Sequence, residues 1–437
     1  MIFFYNNGLD FYNDNKKLIE DNIIRTIFFK VNSLNMNSID LKNYCIKVKD
    51  NDNELIALSK EPYNLLLFGD LALISELINF MFYSNLKFRG LQCSKELFDK
   101  FSYEYTKLSN GEFKINIDMN LLTCNIKDNN EYLDVNNASY EDFEEISSLC
   151  KAFYNETLPD EECNILSVKN RINDFRYIKV DKKIVSIACK SREEKDNCAI
   201  SYVYTLPEYR GNGYARKIVS SLRNEIINSK KLAYLNVDNN NPISSHIYYS
   251  IGFKKLENTI NSRYIDVNIK RCVFAGGCFW CLANSFYNLD GVIKVVSGYS
   301  GGDTVMPTYK DVKSGMTGHK ESILIVYDSN KISYETLLKT YFESIDPFDD
   351  NGQFIDRGSS YQTAVFTNDS HKIDLFKNNK ALIEKKYNKE VKVLLLNESI
   401  FYSAEEEHQE YSLKNVEAFE KEEKVSGRKD YKNIKIE

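Results

Sequence analysis

The chain has 437 residues, 27% of them charged and 43% hydrophobic, with a net charge of −6. That length is too great for one ordinary core and predicts two or three domains. The mild acidity leaves no electrostatic footprint for nucleic acid or an anionic membrane, and ten cysteines in so long a chain exclude a small, disulfide-stapled secreted fold.

The start, "MIFFYNNGLDFYND", has an apolar patch but neither a basic leader nor a long apolar core, which predicts a cytoplasmic protein with mostly free thiols. The longest apolar region, "YNLLLFGDLALISELINFMFY", carries Asp70 and Glu76 inside it, and a bilayer would penalise both. It predicts a buried strand, then an amphipathic helix with Asp70 as N-cap. The Asn- and Asp-rich "CNIKDNNEYLDVNNASYEDF" marks a first boundary near Asn130. A second falls near Asn268, where "RYIDVNIKRCVFAGG" runs one strand into the next. The expected domains are 1–130, 131–268 and 269–437, α/β and α+β throughout, each with a mixed sheet and flanking helices.

In the middle domain "RYIKVDKKIVSIACKS" reads as a hairpin. "NCAISYVYTLPEYRGNGYARKIVSSLRNEII" reads as a strand, a glycine-bearing turn and a helix. Its "RGNGYA" places two glycines where backbone must come close to something. The free N–H groups of the following helix would favour a pyrophosphate. It lacks the Gly-Lys-Ser/Thr of a P-loop and the three-glycine spacing of a dinucleotide fingerprint. Alone, such a turn is more often structural.

Further on, "AYLNVDNNNPISSHIYYSIGF" gives a strand, Asn241, and a short helix with Tyr248. Together the two stretches resemble the GNAT acetyltransferase superfamily, with Ser244 where alanine is usual. The resemblance implies a GNAT-like fold, acetyl-CoA as cofactor and N-acetyl transfer. It puts Val203 and Thr205 on the pantetheine arm and Arg210, Gly211, Asn212, Gly213, Tyr214 and Ala215 on the pyrophosphate. Asn241 belongs to the second cofactor segment, and Tyr248 becomes the acid for the leaving thiolate. Residues 1–130 resemble, in pattern only, the degenerate first half of tandem GNAT proteins. A non-catalytic acyl-CoA-binding module is the rival reading.

The last domain opens on "RCVFAGGCFWC", a strand, two glycines, and Cys278 at the start of a helix. Phe279, Leu282, Phe286 and Leu289 lie at helical spacing, and Gly291 is the expected stop. A helix N-terminus predicts a depressed Cys278 thiol. The pair Cys278 and Cys281 fits a thioredoxin-like dithiol or a sulfoxide- or peroxide-reducing cysteine. A zinc site lacks its other ligands, so no metal is expected.

The ordered run "GGCFWC", "GYSGG", "PTY", "TGHKE", "DRGSSY" and "FYSAEEEHQEY" resembles the A-type peptide methionine sulfoxide reductases. The resemblance implies thiol-dependent reduction of methionine S-sulfoxide, free or in proteins, with a thioredoxin-type reductant as partner. It makes Cys278 the nucleophile, Phe279 and Trp280 pocket walls, Glu321 the acid, Tyr309 and Tyr361 hydroxyl donors, and Asp356 a residue that steadies the site. The acid needs a raised pKa, which burial among aromatics supplies. Gln362 stands where many relatives have arginine, Met306 where they have asparagine, and Ile345 where they have histidine. His319 is expected to be a structural hydrogen-bonder. No cysteine follows Cys281, so Cys281 is the candidate resolving thiol, while Cys272 is expected to point into the core.

Overall fold

The computed structural model describes residues 1–157, 162–428, 431 and 434. They form two compact units, 1–114 with 262–437, and 115–261. No helix among the described residues is long and apolar enough to cross a membrane.

In the first unit, strand Ile2–Phe4 is followed by helices Gly8–Asp21 and Ile23–Leu34. They pack on strands ordered Ile2–Phe4, Tyr44–Asp50, Asn53–Ser59, Leu65–Gly69 and Leu91–Ser94. Phe11, Ile19 and Phe29 meet Cys45, Ile56 and Leu58 in this core. The strand "LLLFG" and the Asp70 cap are present, and the Asp70 carboxylate accepts from Ala72 N–H at 2.7 Å. The capped turn is one short 3-10 segment, and the α-helix proper runs Ile74–Tyr83.

The later part of this unit is a six-stranded sheet ordered Leu394–Leu396, Ala364–Phe366, Ile269–Ala275, Lys320–Asp328, Val292–Ser300, Tyr402–Ser403. Only the first pair is parallel. Helices Tyr334–Glu343 and Ser370–Tyr387 contribute Leu337, Leu338, Tyr341, Phe376 and Ile383 to a core shared with Phe274, Ile323 and Ile325. Cys272 lies in that core, as expected. The two parts of the unit touch directly. Arg271 donates to the Phe82 carbonyl at 2.7 Å and lies 4.7 Å from the Phe82 ring centre.

The second unit is a mixed sheet with helices on both faces. Its strands run in the order Lys254–Ile265, Glu112–Cys124, Leu232–Asp238, Asn197–Thr205, Lys183–Ser191, Phe175–Val180, Asn136–Asn137. Side chains along Lys183–Ser191 face both sides of the sheet, and a bulge opposite Ile178 and Lys179 resets their alternation. Val185 and Ala188 pack under helix Tyr214–Asn228, while Ile184, Ile187 and Cys189 pack under helix Phe143–Thr157. The expected hairpin turns at Asp181 and Lys182, both in left-handed backbone (φ +49° and +69°), the conformation a tight hairpin needs.

Candidate active site

Strand Ile269–Ala275 delivers Gly276, Gly277 and then Cys278. The helix that follows is shorter than its apolar spacing suggests, running only Phe279–Asn284. Beyond it Ser285, Phe286 and Leu289 each donate to a carbonyl three residues back. Phe286 is fully buried all the same, so the spacing recorded burial and not helix length.

The expectation of a depressed Cys278 thiol is also corrected. A hydrogen bond with the Cys281 thiol, burial, and the Glu321 carboxylate push Cys278 well above the ordinary thiol range. The helix has six residues and offers little dipole. The Phe279 N–H donates to Glu321 Oε2 at 3.1 Å, so this terminal donor serves the carboxyl group.

Glu321 lies in strand Lys320–Asp328, whose neighbour Ser322 pairs with Ala275 at the end of the Cys278 strand. That register fixes the carboxyl beside the thiol. Glu321 is 2% exposed. Burial raises its pKa from 4.5 to about 8, opposed by the Phe279 N–H and the Tyr361 hydroxyl, and Asp356 adds to the rise while Lys313 opposes it. Tyr309 is raised to about 12, first by burial and then by the charges of Glu321, Cys278 and Asp356. Tyr361 is raised by burial and by Glu321, Tyr309, Asp356 and Cys278. The structure thus brings Cys278, Cys281, Tyr309, Glu321, Asp356 and Tyr361 together.

Aromatic rings wall the cluster. Phe279 lies 5.9 Å from Trp280, 6.0 Å from Tyr299 and 6.3 Å from Tyr309, centre to centre. Trp280 stacks on Tyr411 at 3.9 Å, and the Tyr309 ring lies tilted against His408 at 4.5 Å. Residue-by-residue reading missed Tyr299, Glu405, His408 and Tyr411. Glu405 accepts from the Tyr309 N–H and from the Tyr299 hydroxyl, each at 2.8 Å, and so ties down Tyr309. The quoted segment "FYSAEEEHQEY" was the signal, but nothing in it says which carboxylate turns inward. His319 is structural, as expected, accepting from Gly302 N–H at 3.1 Å and facing the Thr304 carbonyl at 2.7 Å. Lys320 donates to the Ser359 carbonyl and to Gln362 Oε1, which pins the turn that carries Tyr361.

In the second unit, strands Asn197–Thr205 and Leu232–Asp238 are parallel but pair only over Asn197–Ala199 and Leu232–Tyr234. An irregularity between Ser201 and Tyr204, with Tyr202 at φ +54°, bends the first strand. Past Ala199 the facing edge, which includes Val203 and Thr205, has no strand partner on this side among the described residues. Parallel strands put the loop 206–213 and Asn241 at the same end of the sheet. Gly211 and Gly213 hold left-handed backbone (φ +85° and +76°) with open space around the missing Cβ. Tyr214 and Ala215 open a fifteen-residue helix with no side-chain cap and no acidic residue in its first turn.

Arg210 pairs with Glu156 at 2.7 Å and with the Thr205 carbonyl at 3.0 Å, and Asn212 donates to the Tyr209 carbonyl at 3.0 Å. Asn241 caps the next helix through Ser244 N–H at 3.0 Å. Tyr248 is buried, its ring 6.1 Å from Phe253, and burial pushes its hydroxyl pKa up. No metal-holding cluster of His, Cys, Asp or Glu occurs among the described residues.

The site joins a buried thiol and a buried carboxyl, walled by aromatic rings, on an α+β sheet. The family model described as peptide methionine sulfoxide reductase matches residues 270–436, and the one described as FR47-like protein matches 180–262. Peptide methionine sulfoxide reductase MsrA of Halalkalibacterium halodurans is 40% identical over 169 residues, 38% of this chain and 96% of that protein. The protein of the same name from Bacillus pumilus is 43% identical over 157 residues, 36% of this chain and 88% of its own. Among solved structures, an acetyltransferase from the GNAT family from Colwellia psychrerythraea aligns at 14% identity over 61% of this chain and all of its own, with TM-score 0.42. Through its C-terminal part, the chain belongs to the peptide methionine sulfoxide reductase family.

Proposed function

We propose that the Cys278 centre reduces methionine S-sulfoxide, free or in proteins, to methionine. One observation carries the reading: a buried thiol faces a carboxyl group that stays protonated at neutral pH, its pKa near 8. A sulfoxide offers an electrophilic sulfur, a basic oxygen and an apolar methyl. Phe279 and Trp280 wall the methyl. Glu321 protonates the oxygen, while Tyr309 and Tyr361 donate to it as charge develops.

Once Glu321 has given its proton to the oxygen, its carboxylate takes the Cys278 proton as the Cys278 sulfur attacks the substrate sulfur; the S–S bond so formed and the substrate S–O bond then break as the hydroxyl passes to the Cys278 sulfur. Thiol plus sulfoxide gives sulfenic acid plus methionine. Cys281 is hydrogen-bonded to Cys278. Its thiol condenses with the sulfenic acid to a disulfide and water, and a thioredoxin-type dithiol restores both thiols. Asp356 steadies the site.

The test is mass spectrometry of the full chain after one turnover on methionine S-sulfoxide without reductant. A Cys278–Cys281 disulfide and one methionine are expected. A stable sulfenic acid at Cys278 would remove Cys281 from the cycle. Disulfide exchange without methionine formation would favour a thioredoxin-like oxidoreductase.

The second unit supports a second reading, binding of acetyl-CoA and N-acetyl transfer, on the observation of the splayed parallel strands. Val203 and Thr205 present unpaired strand edge to a pantetheine arm. Residues Arg210 to Ala215 offer N–H groups and a cation to a pyrophosphate, with Asn241 at the same end. When bound, acetyl-CoA supplies the activated acyl group. Tyr248 holds a phenolic proton that burial retains. By role, the chain divides near residues 130 and 268, and no chemistry is assigned to the first segment. Calorimetric titration with acetyl-CoA tests the binding. Acetyl transfer that vanishes in Tyr248→Phe would argue against a module that only binds, and no heat at all would reduce "RGNGYA" to a turn.

A further inference from the structure

The helix Val416–Ser426 ends at Gly427 in left-handed backbone (φ +79°), and the chain turns there to place Arg428. The Arg428 side chain is 8% exposed, and its Nη2 lies 3.4 Å from Asp356 Oδ2. Its guanidinium covers the Phe354 ring at 4.7 Å. A Cβ added at Gly277 would fall 2.8 Å from Arg428 Nη2, so the cation sits against the turn that presents Cys278. Buried arginines carry a large desolvation cost unless paired, and this one is spent on a site carboxylate.

We propose that Arg428 is a positioning residue of the reductase centre: it holds Asp356 as a paired carboxylate and fills the space beside the Gly277–Cys278 turn. This role rests on the reductase reading. Two carboxyl groups, Glu321 and Asp356, share the centre. Glu321 must carry a proton, while Asp356 beside it pairs with the Arg428 guanidinium. A cation on the Asp356 side separates the two.

Glu321 is faced by Cys278, Tyr299, Tyr309, Lys313, Asp356 and Tyr361. Arg428 is faced by Asp356 and by Glu422 of the preceding helix, whose carboxyl is raised by burial and by Asp356 and lowered by Arg428. Removing the cation leaves Asp356 and Glu422 uncompensated, which strengthens proton binding at Glu321. Removing the Asp356 charge does the opposite.

The experiment measures methionine formation against pH for the full chain as wild type, Arg428→Ala, Arg428→Lys and Asp356→Asn. Wild type should lose activity as pH rises through about 8, where Glu321 ionises. Arg428→Ala should lower kcat on the order of tenfold to a hundredfold, with its alkaline limb moved up in pH. Arg428→Lys should return the limb toward wild type, and Asp356→Asn should move it down. Arg428→Ala with wild-type kcat and limb overturns the role. So does an activity loss with the limb unmoved, which would be packing alone. If Arg428→Ala does not fold, an unmoved limb in Asp356→Asn overturns it. Wild type that forms no methionine defeats the reductase reading itself, and is distinguished from these by failing before any substitution.

Discussion

The Cys278 centre and the loop after strand Asn197–Thr205 hold their functional groups in opposite ways. Around Cys278 the groups are close, the thiol and Glu321 buried and Cys281, Tyr309, Asp356 and Tyr361 half-buried, so the protonation of Cys278 and Glu321 depends on their neighbours. Around Arg210 they are exposed, and what they offer is mostly backbone: an unpaired strand edge, two left-handed glycines and an uncapped helix start. The first is arranged for bond-making with little rearrangement. The second is arranged to receive a ligand that brings its own reactive group.

The sharpest break of that contrast is Cys278→Ser. The buried centre should lose methionine formation by at least roughly a thousandfold, while acetyl-CoA binding, measured by calorimetry, stays as in wild type. Residual turnover at a tenth of wild type would mean that another thiol does the chemistry. Glu321→Gln comes next, with a loss on the order of a hundredfold to ten-thousandfold and no alkaline limb near 8.

The same carboxyl has a stability signature. Its folded pKa, about 8, lies above the ordinary 4.5, so the folded state holds a proton that the unfolded state releases. The wild-type contribution is fully present below pH 4.5 and is lost as pH rises through about 8. Melting curves should show wild type losing stability across that window relative to Glu321→Gln. Parallel curves would deny Glu321 its buried proton.

How much of this was legible in the sequence also differs between the two regions. The strand, glycines and thiol of "RCVFAGGC" and the strand–turn–helix around "RGNGYA" could be read locally, because each is one stretch of chain with its own period and turn residues. The Cys278 pKa could not be read that way. Its direction depends on Cys281 and Glu321, and Glu321 arrives through a strand register that sequence spacing does not encode. The same holds for Glu405, which anchors Tyr309 from ninety-six residues away, and for Arg428, which follows a polar helix with no motif around it. The length of the Cys278 helix failed for another reason: burial of Phe286 mimics helical periodicity whether the chain is helix or turn.

A smaller effect is expected at Gly213. Its φ of +76° costs a side chain about 1–2 kcal/mol, and the open space there is where a ligand would approach. Gly213→Val should weaken acetyl-CoA binding by roughly tenfold or more and leave methionine formation unchanged. Equal affinity in the variant would remove the loop from the cofactor site.

The smallest effect, and the one that best separates exposed from buried design, is Arg210→Ala. Arg210 and Glu156 pair at 2.7 Å, each side chain 45% exposed. A pair that open to water contributes at most about 1 kcal/mol to stability, often nothing measurable, so the melting temperature should stay within about 2 °C of wild type. The guanidinium can leave Glu156 at little cost, and a pyrophosphate is a stronger partner for it because it carries more negative charge than one carboxylate. Acetyl-CoA affinity should therefore fall by roughly threefold to tenfold, and the loss should shrink as salt screens the wild-type attraction. A large drop in melting temperature with unchanged affinity would reverse the assignment. Arg210 would then be a structural tie between the loop and helix Phe143–Thr157, and the loop would resemble the reductase centre in being built from fixed side-chain contacts.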